Sequence, residues 1–533
     1  AGGAGPSAGA EPPRTAGPPD ATRRLRWVAL AFAPSSLMLG VTTFLTSDLA
    51  PVPLLWTVPL TLYLLSFVVA FSPGARRERA HQGLLAVVPL FAVLLAAFLL
   101  LGIQQPLGVV AGVHLLAFLV VSLACHGELA RDRPAPRFLT GFYLWIALGG
   151  ALGGAFNALV APLAFDHALE YPLALVIACL LLPNRSVLAP SRWTRRLDVL
   201  VPVAIGATVA GLLLVLRLAD AGQQAGGRAY VLGLAAGIVL SLGRRPLRFG
   251  LSLAALLAAG AVGLSGEERV IFAERSFFGV HRVEVPEGTR VHRLLHGTTL
   301  HGAQDRAPGR SREPLTYYHR TGPVGELMAA IPDRPARREA GVIGLGTGTM
   351  ACYSRAGERW TFYEIDPTVE RIARDRRLFT YLRDCPGSFD VVLGDARLSL
   401  RRAPDRRLGV LVVDAFNSDA VPVHLLTREA LDLYRAKLAP GGVLAFNVSS
   451  RYLALEPVLG ELARARGLVC RGHAEGPEAV RGIPFKVESH WVAMARRPAD
   501  LGRLGHDRRW RPCARDAGAR LWTDDYSNVL AAL

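Results

Sequence analysis

The sequence predicts a multi-pass α-helical membrane domain followed by a small β domain and an α/β domain built on a parallel, doubly wound sheet. Three observations carry this. Apolar residues make up 51% of the chain and are concentrated before residue 265, in repeated runs long enough to cross hydrocarbon as helix. After residue 266 the pattern changes to alternation, with β-branched and aromatic residues between turn signals. From residue 340 strand-like and helix-like stretches alternate, which is the mark of a parallel sheet. A chain of 533 residues also exceeds one ordinary core.

Residues 1–24 are rich in Gly, Pro and Ala and lack large apolar side chains, so a disordered tail is expected there rather than a signal peptide. The helical domain is assigned to 25–265, in eight to nine segments near 27–47, 53–71, 83–102, 106–125, 138–163, 168–183, 198–217, 229–242 and 247–265. The eighth is short and interrupted by Gly, as a re-entrant segment would be. Connecting stretches alternate in charge. "SPGARRERAHQ", "HGELARDRPAPR", "NRSVLAPSRWTRR" and "GRRPLR" are rich in Arg, whereas "TSDLAPVP", "GIQQPLG" and "FDHALEYP" have no Lys or Arg. The positive-inside rule puts the basic stretches, with Arg23, Arg24 and Arg26, in the cytoplasm. Nine crossings would then leave the C-terminal half outside, away from any cytoplasmic nucleotide, so one segment, the eighth or ninth, is expected not to cross.

Within 141–165, Gly149, Gly150, Gly153 and Gly154 are spaced to let another helix approach closely. Asn157 in the same stretch is a hydrogen-bonding group toward a neighbouring helix or a binding group. No charged residue falls in the middle of a segment, which counts against ion-coupled transport. The net charge of +17 is almost all Arg, spread over loops and helix faces rather than gathered into a stripe with aromatics, so no nucleic-acid partner is expected. The six cysteines form no C-x-x-C pair and have no His at zinc-ligand spacing; neither a metal site nor a disulfide framework is indicated, and a reducing compartment is expected.

In the C-terminal half, "RVIFAERSFFGVHRVEV" and "HRLLHGTTLHGAQ" suggest a small antiparallel sheet within 266–322. Beyond it, "AGVIGLG", "RWTFYEID", "FDVVLGDA", "LGVLVVDAF" and "GGVLAFNVS" are the strands of the α/β domain, 323–533. Such sheets bind ligands at the carboxyl ends of their strands. The first strand ends in Gly344, Gly346 and Gly348, where a turn lets the backbone approach a ligand and a helix is expected to follow, presenting free N–H groups. Glu364 ends the next strand, placed for both hydroxyls of a ribose. Asp395 follows the third, where a carboxylate meets an exocyclic amine or caps a helix, and Asp414 ends the fourth, over the reactive end of a ligand or as a turn residue. The four strand ends together point to a nucleoside.

These residues, with "YEID", "GDA", "DAFNSDAVP", "LAPGGVLAFN", "HGTTLHGAQ" and "YYH", make residues 268–497 resemble the polyamine aminopropyltransferases, the spermidine synthase family, and the whole chain resemble its membrane-fused bacterial relatives. The resemblance implies a Rossmann-like, class I methyltransferase-like catalytic domain and a homodimer. It implies aminopropyl transfer from decarboxylated S-adenosylmethionine to an amine such as putrescine, releasing methylthioadenosine, with no permanently bound cofactor. It further implies an integral protein of the bacterial inner membrane, in contact with lipid, whose catalytic domain faces the cytoplasm, where the donor is made. Asp414 is implied as base or orienting acceptor, with Tyr318 and His319 beside it and Gln304 positioning the donor.

Two positions depart from the family pattern. Thr347 stands where the family carries an Asp that holds the donor's amine, which implies a loop that accepts the carboxylate of intact S-adenosylmethionine; Arg320 replaces an acid after Tyr318 and His319. Asp419, Glu488, Asp524 and Asp525 are the acids left to attract a polycation. A methyltransferase using S-adenosylmethionine, and a transporter with a regulatory nucleoside-binding domain, are the alternatives.

Overall fold

A computed structural model describes residues 18–49, 55–72, 77–186, 191–219, 224–264, 268–297, 299–331, 338–416, 422–450, 453–515, 518, 520–530 and 531–532. The chain divides into two compact units, Ala1–Leu45 with Leu54–Gly266, and Thr46–Pro53 with Glu267–Leu533.

The first unit is helical: α1 (Ala21–Thr43), α2 (Thr57–Phe71), α3 (Arg77–Leu101), α4 (Leu107–Arg131), α5 (Leu139–Ala155) running through a π turn into α6 (Ala161–Ala164), α7 (Glu170–Leu181), α8 (Arg192–Leu218), α9 (Gln224–Ser241) and α10 (Pro246–Leu264). Each of the nine expected segments is helical among the described residues. Among the described residues, six helical stretches are long and apolar enough to cross a membrane, while Thr57–Phe71, Glu170–Leu181 and Gly226–Ser241 are shorter. The expected tail is shortened: α1 starts at Ala21, where the Asp20 side chain accepts from the Arg23 N–H at 2.7 Å and caps the helix; residues 1–17 lie outside the described residues.

Glycine spacing does place α5 against α1. A Cβ on Gly149 would meet the Val28 carbonyl oxygen at 2.3 Å, and one on Gly153 the Phe32 oxygen at 2.6 Å. Gly154 faces open space instead. Asn157 donates from Nδ2 to Ser36 Oγ at 2.6 Å, an interhelical hydrogen bond.

The second unit opens with an antiparallel sheet in the order β1 (Glu268–Ser276), β2 (Gly279–Pro286), β3 (Val291–His296), β4 (Thr299–Asp305). An eight-stranded sheet follows: β5 (Glu339–Ile343), β6 (Arg359–Glu364), β7 (Ser388–Leu393), β8 (Leu408–Val413), β9 (Leu438–Asn447), β10 (Val469–Glu475), β11 (Ser489–Ala495) and β12 (Arg511–Pro512). Its order is β12-β10-β11-β9-β8-β5-β6-β7, with β5 to β9 parallel and β11 antiparallel to β9. Every residue of β8, "LGVLVV", is buried, as a central strand covered on both faces requires. The helix at Pro367–Arg374 starts on Asp366, whose side chain accepts from the Thr368 N–H, with Pro at its first position. After Gly348 the expected helix is only a 3₁₀ turn, Thr349–Tyr353.

The cysteine reading is overturned here. Cys352 pairs with Cys385 and Cys470 with Cys513, while Cys125 and Cys179 are free and buried among the helices. The partners lie 33 and 43 residues apart, so no local spacing reveals them; the turn after the Gly-rich loop and the β10–β12 pairing bring them together.

Candidate active site

Parallel strands deliver their carboxyl ends to one edge, and hydrogen bonds carry the ladder one residue past it. The Gly344 N–H donates to the Tyr363 oxygen at 2.8 Å, that of Gly394 to the Glu364 oxygen at 2.8 Å, and that of Asp414 to the Ile343 oxygen at 2.9 Å. Gly344, Gly346, Glu364, Asp395 and Asp414 therefore line one cavity of about 310 Å³, together with Tyr318.

The turn that opens this cavity needs its glycines. Gly344 has φ +98°, and a Cβ there would stand 2.3 Å from the Asp414 carbonyl oxygen. Gly344→Ala is expected to cost about 1–3 kcal/mol through backbone strain and displacement of Asp414. A lower denaturation temperature and weaker methylthioadenosine binding by the purified full chain would report it; unchanged values of both would refute it.

Glu364 is buried, and each carboxylate oxygen accepts one backbone N–H, from Asp366 at Oε1 and from Leu345 at Oε2, both at 2.9 Å. Burial raises its pKa and these N–H groups oppose the rise. Each oxygen keeps a lone pair for a ligand hydroxyl. Asp395 caps the helix at Ala396–Arg402 by accepting from the Leu398 N–H at 2.8 Å, so capping and lining coincide.

Asp414 is held from two sides. The Tyr318 hydroxyl donates to Oδ2 at 2.5 Å and Asn447 Nδ2 donates to Oδ1 at 2.8 Å. Burial pushes its carboxyl up to about 7 against both hydrogen bonds. A carboxylate poised near neutrality can take a proton from a bound amine. Tyr318 is positioned in turn by Tyr353, whose hydroxyl donates to its carbonyl oxygen at 2.5 Å.

Four sequence-derived candidates lie elsewhere. Gln304 is buried, donates from Nε2 to Ser311 O and Thr380 Oγ1 and accepts from the Thr380 N–H, a structural clamp outside the cavity lining. His319 pairs with Thr321 Oγ1 at 2.9 Å and lines neither cavity of the site. Gly348 turns toward Leu382 with φ +81°. Thr347, 1% exposed, shares a hydrogen bond with Thr349 and packs on Gly302 of β4. Thr347→Asp is thus expected to bury a carboxylate, lowering the denaturation temperature rather than switching donor preference. A stable variant with altered donor preference would contradict this. Among the acids left for a polycation, Glu488 lines the second cavity, Asp524 is taken up by Arg397 and Thr427, Asp525 is exposed, and Asp419 lies outside the described residues.

Five residues escaped the sequence reading. His281, His296 and His301, from β2, β3 and β4, wall the cavity, with ring centroids 4.6 and 5.5 Å apart. Burial lowers His296 to about 4 and His301 to about 3, so both are neutral and do not repel a cation. Asp366 also lines the cavity; burial would raise its carboxyl, but His281, Ser276 and the Thr368 N–H hold it down to about 2. Asn447 ends β9 inside the quoted "LAFN", and an amide at a strand's carboxyl end was the signal available. It also lines a second cavity of about 600 Å³, which shares His301, Tyr317 and Phe416 with the first. The Asp414–Asn447 pair sits where the two adjoin.

No family model matches the chain. A polyamine aminopropyltransferase of Vibrio vulnificus (strain CMCP6) is 33% identical over 134 residues, 24% of this chain and 43% of that protein, so the match spans less than half of its relative. Among solved structures, a probable spermidine synthase from Corynebacterium glutamicum ATCC 13032 shows 18% identity and a TM-score of 0.36, with 49% of this chain and 98% of that one covered. The spermidine synthase from Thermotoga maritima shows 13% identity and a TM-score of 0.32, with 50% and 84% covered. Over those 134 residues the chain is similar to a polyamine aminopropyltransferase.

Proposed function

We propose that the second unit is an aminopropyltransferase that moves the aminopropyl group of decarboxylated S-adenosylmethionine to a small amine of the putrescine class. The observation that carries the reading is Asp414, a carboxylate raised toward neutrality and fixed by Tyr318 and Asn447 where two cavities adjoin. In this reading the nucleoside occupies the smaller cavity, with its ribose on Glu364 and its base beside Asp395. The amine enters through the larger one, past Glu488.

The amine lone pair attacks the methylene next to the sulfonium, the C–S bond breaks with its electrons passing to sulfur, and neutral methylthioadenosine leaves. The amine's surplus proton goes to the Asp414 carboxylate. The sulfonium already activates the carbon, so the residues align, hold charge and accept that proton. Neutral His296 and His301 wall the cavity without opposing the cation.

The first unit serves in this reading as a membrane anchor. Its outward faces carry apolar side chains, with Leu163 91% exposed, Leu218 74% and Leu234 69%, which suit lipid far better than water. Incubating the purified full chain with decarboxylated or intact S-adenosylmethionine and a panel of amines, then identifying products by mass spectrometry, tests the reaction. Methylthioadenosine with an aminopropylated amine is expected; S-adenosylhomocysteine with a methylated product would replace this reading by methyl transfer.

A further inference from the structure

The two units differ in the state of their cysteines. Cys125 and Cys179 of the helical unit are free, whereas Cys352, Cys385, Cys470 and Cys513 of the second unit are all paired. Disulfides of this kind persist in oxidising compartments and are rare in the cytosol.

The helical unit supplies an independent measure of sidedness. Its arginine-rich ends are tied together by hydrogen bonds at one end of the bundle. At the start of α1, Arg23 Nε donates to Asp132 Oδ1 at 2.9 Å and Arg26 Nη2 to Glu128 Oε2 at 2.8 Å, both acceptors at the end of α4. Arg131 there pairs with Glu78 at the start of α3 at 3.1 Å. Arg185, after α7, donates from Nη1 to the Leu85 oxygen of α3 at 2.5 Å and from its backbone N–H to the Arg244 oxygen, after α9, at 3.0 Å. Arg248 Nε in α10 donates to Asp198 Oδ1 in α8 at 3.0 Å. The starts of α1, α3, α8 and α10 and the ends of α4, α7 and α9 thus share one end.

The last turns of α10 lie at the other end. A Cβ on Gly260 would meet Leu100, at the end of α3, at 2.7 Å, and one on Gly263 would meet Leu213, near the end of α8, at 2.5 Å. Among the described residues 20–264, Arg217 and Arg228 are the only arginines toward that end. By the positive-inside rule the arginine end is cytoplasmic, so the chain leaves α10 on the opposite side.

We infer that Glu268–Ala532 lies on the extracytoplasmic side of the membrane, with all nine helical passes crossing and its four cysteines oxidised there. This reverses the sidedness expected from where the donor is made. The inference stands apart from the reaction proposed above, but joins it in one consequence. A sulfonium nucleoside carries a fixed charge and does not cross a bilayer unaided, so an export step must supply the donor.

The test uses the full chain in sealed bacterial cells. Arg312→Cys puts a thiol on an exposed stretch of the second unit, and Ala80→Cys puts one at the arginine end of α3. A membrane-impermeant maleimide is expected to label the first variant in intact cells and the second only after lysis. On the unsubstituted chain, denatured and alkylated with a polymer-tagged maleimide, two thiols are expected to react before reduction and six after it. Labelling of Arg312→Cys only after lysis, or six reactive thiols without reduction, overturns the inference. Neither readout needs turnover, so a failed aminopropyl transfer leaves this result standing, and the reverse.

Discussion

Asp414→Asn is expected to lower turnover about 100-fold or more while leaving methylthioadenosine affinity within about threefold, because the change removes a proton acceptor and keeps its shape. The pH profile follows from the same residue. Burial holds its carboxyl up at about 7, and the base must be deprotonated to act. The limb of kcat/KM governed by it therefore rises with pH through about 7, and activity falls as the pH drops below it. Asn447→Ala sharpens the test. It removes the hydrogen bond that favours the charged form, so the limb should move to higher pH. A merely structural Asn447 would lower activity evenly across the profile, and undiminished turnover in Asp414→Asn would remove the assignment altogether.

Glu364→Ala carries the second large effect. It deletes the acceptor proposed for both ribose hydroxyls, and methylthioadenosine binding is expected to weaken by about 2–4 kcal/mol. The same change frees the Leu345 and Asp366 N–H groups, so part of the loss comes from a loosened Gly-rich turn. Glu364→Gln separates the two contributions: it keeps the side chain's size and one acceptor oxygen, and should fall between wild type and Ala. Calorimetry on the full chain decides, and a Glu364→Ala affinity within about threefold of wild type would mean the ribose lies elsewhere.

Part of this molecule is legible in its residues alone. The long apolar runs before residue 265, the alternation after residue 266 and the buried run of β8 are local periodicities, and each becomes the element its period demands. Gly344, Glu364, Asp395 and Asp414 could be grouped in advance because parallel strands deliver their carboxyl ends to one edge whatever the loops between them do. The other half of the cavity has no such shortcut. His281, His296 and His301 come from a separate sheet whose placement over the strand ends is a packing outcome, and Asn447 acquires its role only because β9 lies beside β8.

The misplacements have the same origin. Gln304 and Thr347 sit in the right stretches, yet which way a side chain turns depends on its neighbours: Thr380 captures the first, Gly302 and Thr349 the second. Cysteine spacing carried no trace of pairs closed across 33 and 43 residues. Which segments are helix or strand, and which carboxylates end the central strands, can be read from the residues because both follow from interactions a few residues long. Which distant residues meet, in the histidine wall, the Asp414–Tyr318–Asn447 cluster, the two disulfides and the arginine end of the bundle, is a packing outcome, since those contacts form when whole elements bury their faces against one another.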